Sequence, residues 1–544
     1  MIKLLTKYPM LSICLFVAVM LLPNLETLQV SIMEARNFVT AREMLTQDHW
    51  LLTTMNNVAR YQKPPLPAWL SAISGSILGM KSMFAMRLPA VLMVMLVGSF
   101  MYYLSETILK SKTHSIINTL VLLTSFYVIG IVFEAPSDIF THGFMLVSIY
   151  FLYKLLEIEE DKLKHALFAG TCLGLSILAK GPISIYALLL PFLIAYGFSF
   201  KYKHIKQKLP YILSALTLGL LIGGSWYLYV KVQDPATLDA IAKKETGTWT
   251  SYHTRPFYHY WSFFIQSGIW TIPAVISLLY PYLKKRVSHP KVYKFSLIWV
   301  IAGVMLLSVI PMKKARYLMP VLIPLAFNIG FYIEYLFREF KAMKDRRETY
   351  AVYFNFGLIG LIGITFPIAL FIVSKTGFQE HTFRFALASF VLFSTGVLII
   401  LRLGAKDIKN VFLLTVLFFG LLPVFVPPLN VAFRNTSYNS YANLNQDVEQ
   451  RQIKLYGINR NSPEIIWDYG DIIPQIQSDS NGIMFPPETS FGLILDPKSL
   501  ENKAEILANY DMNEISAYDM NFFGKGSKKS SGRLASVFYI LEKK

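Results

Sequence analysis

Apolar runs close to a bilayer's thickness recur from Leu11 to Pro428, and they leave few folds open. A helix needs ~20 apolar residues to cross the hydrocarbon, and in lipid only helices and closed barrels satisfy every backbone group. Such runs lie at about 8–24, 86–108, 115–133, 141–157, 164–179, 183–200, 210–232, 258–283, 292–311, 316–337, 350–374, 381–401 and 410–428, thirteen in all. The chain is therefore expected to be an all-α polytopic membrane protein. LPAWLSAISGSILGM (66–80) is apolar but short. Together with the charged stretch before it, from about 33, it is expected to lie along the interface, as is the loop 233–257. Lys3, Lys7 and an apolar run to Pro23 resemble a signal peptide. No small-x-small cleavage site precedes Asn24, so an uncleaved first span is expected.

A net charge of +18 raises the question of nucleic acid. The basic residues, however, are scattered through short loops rather than gathered in a stripe, so no nucleic-acid partner is expected. Lys110 and Lys112, Lys162 and Lys164, the run KYKHIKQK, Lys284 to Arg286, the run REFKAMKDRR, and Arg402, Lys406 and Lys409 fall in every second loop. By the positive-inside rule those loops and the N-terminus face the cytoplasm. The alternate loops, including 33–65, then lie outside, and so does the tail. Cys14 and Cys172 both sit in apolar runs, which argues against a disulfide framework or a thiolate metal site.

The expected boundary falls at 428, with 1–428 in the membrane and 429–544 as a small extracytoplasmic α/β domain. The tail opens on the polar AFRNTSYNSYANLNQDVEQRQ. Strand-like runs (KLYGI, FGLILD, SVFYILE) and the helical LENKAEILANY follow, enough chain for a core of its own.

Charges in the outer loops are few, and they cluster. Glu34, Arg36, Arg42, Glu43 and Lys63 crowd the first loop, and Asp138 stands at the boundary of the next. Lys180 closes a span before Gly181-Pro182. Lys243, Lys244, Glu245, His253 and Arg255 share a further loop, and PMKKARYLMP places Lys313, Lys314, Arg316 and Tyr317 in a very short one. That last loop breaks the positive-inside pattern, so an anion is expected to offset it. Carboxylates can accept a proton from an attacking hydroxyl, while Lys and Arg can stabilise a leaving phosphate. The set suits group transfer from a phosphate-linked donor. His253 is a metal-ligand candidate without a second His or Cys at ligand spacing, so a divalent cofactor is possible but not indicated.

MEARNFVTAREML, DHWLL, YQKPPLPAWL and AMRLPAVL resemble, in this order, blocks of the bacterial dolichyl-phosphate-mannose–protein mannosyltransferase-like group, which includes the aminoarabinose transferases that modify lipid A. There the loop typically reads D-E-x-R-Y-x-x-x-x-R-E-M, then G-D-W, F-E-K-P-P and a-R-L-P. LGLSILAKGP, SWYLYV, RPFYHYW and KKARYLMP continue the likeness, which spans roughly residues 8–340. The resemblance implies an inverting membrane glycosyltransferase of GT-C architecture in the bacterial inner membrane. It would take a hexosyl or pentosyl group from a polyprenyl-phosphate carrier to a glycolipid such as lipid A, a glycan, or a protein Ser or Thr. It implies Glu34 and Asp138 as catalytic acids. Lys63, Lys180, Arg255, Arg316 and Tyr317 would lie at the donor phosphate, with Arg36, Arg42 and Glu43 in support. The chain departs from the pattern at Met33 (the first acid), Gln62 (the Glu before Lys63) and Asn37 (the Tyr). The base then falls to Glu34 or Asp138, or the chain binds a lipid-linked sugar or a partner without catalysing. A transporter of lipid-linked sugars is a further alternative, against which the boundary position of the charges speaks.

Overall fold

The computed structural model describes the chain except residues 1, 135, 252, 375–381, 428, 430–433, 459–460, 477, 480–481, 497–502, 525 and 528–529. The expected boundary at 428 and the start of the expected span at 381 lie outside the described residues.

The protein is a polytopic helical membrane protein. Among the described residues, nine helical segments are long and apolar enough to cross a membrane, from Met83–Leu109 to Ile408–Phe425. The other four expected spans are shorter, interrupted or charged at their ends. Pro9–Leu21 ends in a single tight turn at Leu22–Asn24. The run 115–133 divides into Lys112–Leu123 and Phe126–Glu134. At the break the Thr124 and Ser125 hydroxyls donate back to Leu120 and Val121, and the Trp270 indole donates to Thr124 Oγ1 at 2.8 Å. Hydroxyls bonding back to their own helix weaken its continuation. Lys162–Lys180 carries lysines at both ends. The run 183–200 passes through a wide π-turn, Ile185–Leu189, before Leu190–Ser199.

Burial sorts the bundle. In Ala315–Glu339, 89% of the most apolar window is buried, against 22% in Ile205–Gln233, so the first is the central post and the second faces lipid. Lys162–Lys180 and Ile205–Gln233 approach closely because both carry glycines four apart. A Cβ on Gly170 would stand 2.5 Å from the Ala215 carbonyl oxygen, and one on Gly223 2.6 Å from Ile177 Cβ. Small residues at this spacing let backbones meet where lipid offers no hydrophobic drive.

The C-terminal part forms a five-stranded sheet in the order Gln475–Ile476, Leu455–Ile458, Ser490–Leu495, Ala535–Lys543, Tyr510–Asp519. The first two pairings are parallel and the last two antiparallel. A parallel pair needs a crossover, which Pro463–Tyr469 supplies. Alternate residues of Ser490–Leu495 point to opposite faces: Ile494 packs with Tyr441, Leu444 and Ile465, and Leu493 with Ile506 and Tyr510. Both faces are therefore covered.

The sheet docks on the helix Ile32–Gln47 and the hairpin after it. Arg42 donates to the carbonyls of Ile466 and Asp471, each at 3.1 Å. Asn56 exchanges two hydrogen bonds with the Ile473 backbone, at 2.8 and 2.9 Å. Phe38 lies 5.3 Å from the Trp467 ring. The Ile32–Gln47 helix thus stands between the bundle and the sheet.

Candidate active site

The helix Ile32–Gln47 begins with a capping box. Ser31 Oγ accepts from the Glu34 amide at 3.4 Å, and the Ser31 amide donates to Glu34 Oε2 at 2.9 Å. Both Glu34 oxygens also accept from Arg87, at 2.7 and 3.1 Å, and Arg87 turns its remaining donors onto the carbonyls of Leu25, Leu28 and Gln29. Neither side chain is exposed by more than 1%. Burial pushes the Glu34 carboxyl up, and Arg87 and Ser31 pull against it. Glu34, expected to reach a substrate, is enclosed in this structure, with both carboxylate oxygens accepting from Arg87 and one also from Ser31. Arg42 and Glu43, expected in support of the site, are likewise turned to partners within the chain. Arg42 holds the sheet. Glu43 accepts from Thr54 Oγ1 at 2.6 Å and from the amides of Asn56 and Asn57 at 2.5 and 3.2 Å, shaping the hairpin.

A different group gathers at the sheet end of the bundle. Asp138 lies in the first turn of Pro136–Glu157, buried and ion-paired with Lys180. Lys180 is the last residue of its helix, which closes on Gly181 at φ 84°, a conformation open to glycine. The Lys180 ammonium also sits 5.3 Å from the centre of the Tyr317 ring, and the Arg316 guanidinium sits 5.7 Å from the same ring. Arg316 Nε is buried and has no hydrogen-bond partner among the described residues.

Lys63 arrives from the loop YQKPP, which bends at Gln62 and Lys63 and leads through Pro65 into the helix Leu66–Leu78. Tyr61 anchors that loop: its hydroxyl donates to Asp234 Oδ2 at 3.1 Å, and its ring meets Trp226 edge-on. Lys63 is half-buried and makes no hydrogen bond or ion pair among the described residues. Its ammonium is pushed down to about 7, first by burial, then by the charges of Lys180, Arg60 and Arg316, with Asp138 opposing. Lys314 is likewise held below the usual lysine range by burial and by Arg316, Arg36 and Lys180, with Glu245 opposing. Lys63 thus feels the charges of Lys180, Arg60, Arg316 and Asp138, and Lys314 those of Arg316, Arg36, Lys180 and Glu245, with Lys180 and Arg316 common to both.

Sequence reasoning did not single out Arg60, Lys314 or Glu245 for this cluster. Arg60 stands three residues before Lys63, and Lys314 two before Arg316, so proximity to the chosen residues was the available signal. Glu245 comes from the helix Pro235–Ser251 and had none. Arg255 is exposed, and it joins the facing loop through its backbone: its amide donates to Pro311 at 3.1 Å, and its carbonyl accepts from Lys313 Nζ at 3.2 Å. The exposed His253 does the same through its carbonyl, which accepts from the Lys313 amide at 3.1 Å. Among the described residues, no group of three or more His, Cys, Asp or Glu side chains could hold a metal ion.

Residues 62–227 match the family model described as dolichyl-phosphate-mannose-protein mannosyltransferase. The chain is 24% identical over 334 residues to the undecaprenyl phosphate-alpha-4-amino-4-deoxy-L-arabinose arabinosyl transferase of Yersinia pestis (strain Pestoides F), covering 58% of this chain and 57% of that one. A similar transferase from Proteus mirabilis (strain HI4320) is 23% identical over 357 residues, covering 62% and 60%. The matched region thus spans under two thirds of the length of these curated relatives. In structure the chain superposes on ArnT from Cupriavidus metallidurans, crystallised with undecaprenyl phosphate, at a TM-score of 0.68 and 15% identity, covering 99% of this chain and 97% of that one. The chain has the GT-C glycosyltransferase fold. That likeness runs through the C-terminal sheet, where the sequence resemblance had stopped.

Proposed function

We propose that this GT-C chain is an inverting glycosyltransferase of the inner membrane. It moves a sugar from a polyprenyl-phosphate carrier to a cell-envelope acceptor on the outer side. The observation that carries the reading is Lys63, half-buried among like charges and lacking a counter-ion of its own among the described residues. A concentration of cations this far from balance favours a bound anion, and a phosphate beside Lys63, Arg316 and Lys180 supplies one. The relatives' names and the ligand of the Cupriavidus enzyme point to the same donor class.

In the reaction the acceptor oxygen attacks the anomeric carbon and the bond from that carbon to the phosphate oxygen breaks. The phosphate leaves with its new charge against Lys63 and Arg316, and the acceptor's proton passes to Asp138. Lys180 is shared: as it turns toward the phosphate it releases Asp138 to accept a hydrogen bond from the acceptor. Fixed cations in a site screened from water stabilise such a leaving group well. Asp138 replaces Glu34 as the acid in this reading, since Glu34 is enclosed.

The test is transfer of radiolabelled sugar from purified polyprenyl-phosphate donors by wild type and by Asp138→Asn. Transfer by wild type that disappears in the variant supports the assignment. Donor binding without any turnover across a panel of acceptors would instead favour the carrier-binding relative that Met33 and Gln62 suggest.

A further inference from the structure

A cavity of about 200 Å³ opens between the Ile32–Gln47 helix and the C-terminal sheet. Its polar wall holds Arg36, Asn461, Asp496 and Arg533, and its apolar wall includes Ile32 and Ile494. Arg533 is already neutralised, with Nη1 2.6 Å from Glu464 Oε1 and 2.8 Å from Ser462 Oγ. Asp496, on the same wall as Arg36, carries the opposite charge. Asn461 Nδ2 is buried and without a hydrogen-bond partner among the described residues. A cavity that is balanced in charge, polar on one side and aliphatic on the other, does not suit a phosphate. It suits a sugar ring, whose C–H face packs on Ile32 and Ile494 while its hydroxyls donate to Asp496 and accept from Asn461. Arg36 joins the two places, since it lines this cavity and its charge reaches Lys314 in the cation cluster.

We propose that the cleft between the Ile32–Gln47 helix and the sheet binds a neutral saccharide, the acceptor end of the reaction, and that the C-terminal part selects the acceptor. This rests on the transferase reading for its role, but binding can be tested without it. Full-length protein in lipid nanodiscs is applied to an array of neutral oligosaccharides, their phosphorylated counterparts and Ser/Thr peptides. In parallel, the same preparations are titrated with undecaprenyl phosphate. Wild type is expected to retain neutral glycans, Asp496→Asn to lose at least tenfold in affinity, and Asn461→Trp, which fills the cleft, to lose retention altogether. Undecaprenyl phosphate binding stays unchanged in both variants, which also reports that they are folded. The proposal is overturned if both folded variants keep wild-type retention, if wild type retains no glycan, or if it retains only phosphorylated glycans or peptides. Neutral glycan binding that is lost in the variants, in a protein that ignores undecaprenyl phosphate, would uphold the cleft and remove the carrier reading.

Discussion

Lys63 offers the sharpest test of the cation cluster because its proton is the cheapest to lose. With its pKa pushed down to about 7, half of the free protein at neutral pH carries an uncharged amine there. A phosphate binds the charged form, so affinity should weaken as pH rises through 7. From the titration of one group, the dissociation constant for undecaprenyl phosphate should rise roughly fivefold between pH 7 and 8 and about fiftyfold between pH 7 and 9, near 2.3 kcal/mol. The ligand's own second ionisation, near pH ~6, is nearly complete and adds little. The sign is checked by the free protein. Unfolded lysine keeps its proton to about 10.4, so between about 7 and 10 the unfolded chain binds one proton more than the folded one. The penalty for the buried ammonium is full below 7 and lifts as pH rises, so Lys63 makes the free protein more stable with pH while binding weakens. Lys63→Arg keeps its charge throughout and should flatten the affinity profile. Lys63→Met should bind weakly and also without slope. The assay is a binding titration by scintillation proximity in detergent from pH 6 to 9. A flat wild-type profile, or a slope that survives in Lys63→Arg, would refute the reasoning.

Asp138→Asn should lower transfer about 10²- to 10⁴-fold, the range for a lost general base, while undecaprenyl phosphate binds as well or better because Lys180 loses its competing partner; turnover within tenfold of wild type would remove Asp138 from the chemistry. Glu34→Gln leaves Arg87 buried without its counter-charge and should cost ~3–5 kcal/mol of stability, read as a lower melting temperature and yield, with little change in turnover per folded molecule. Undiminished stability with lost turnover would return Glu34 to the reaction. Gly170→Val sets a side chain against the Ala215 carbonyl, which cannot swing aside, so Lys162–Lys180 and Ile205–Gln233 must separate at a cost of about 1–3 kcal/mol. Thermal unfolding by intrinsic fluorescence, unchanged from wild type, would contradict that packing.

The membrane class was legible because lipid imposes one rule on every span: bury the backbone polar groups along ~20 apolar residues. Among the described residues, the thirteen apolar runs are helical through most of their length. Their count as spans was less legible, because breaks such as the one at Thr124 and Ser125 depend on Trp270, far off in sequence, reaching into the gap. The site divides along the same line. Lys63, Lys180, Arg316 and Asp138 could be gathered from sequence since Lys180, Arg316 and Asp138 stand at or beside the ends of expected spans and Lys63 in a loop expected on the same side. Glu34, Arg42 and Glu43 share that stretch and that side, yet each is turned away from the cluster by a partner elsewhere in the chain: Arg87, the carbonyls of Ile466 and Asp471, and the Asn56 hairpin. Arg87 was visible in the block AMRLPAVL, and Glu34 in MEARNFV, but nothing in either block says that the two pair. A charge beside a membrane must find water, a ligand or a counter-charge. Glu34 and Arg87, fully buried, find each other and define the frame. Lys63, half-buried among like charges with no counter-ion among the described residues, is the cation most open to a ligand, and that is why the binding titration above starts there.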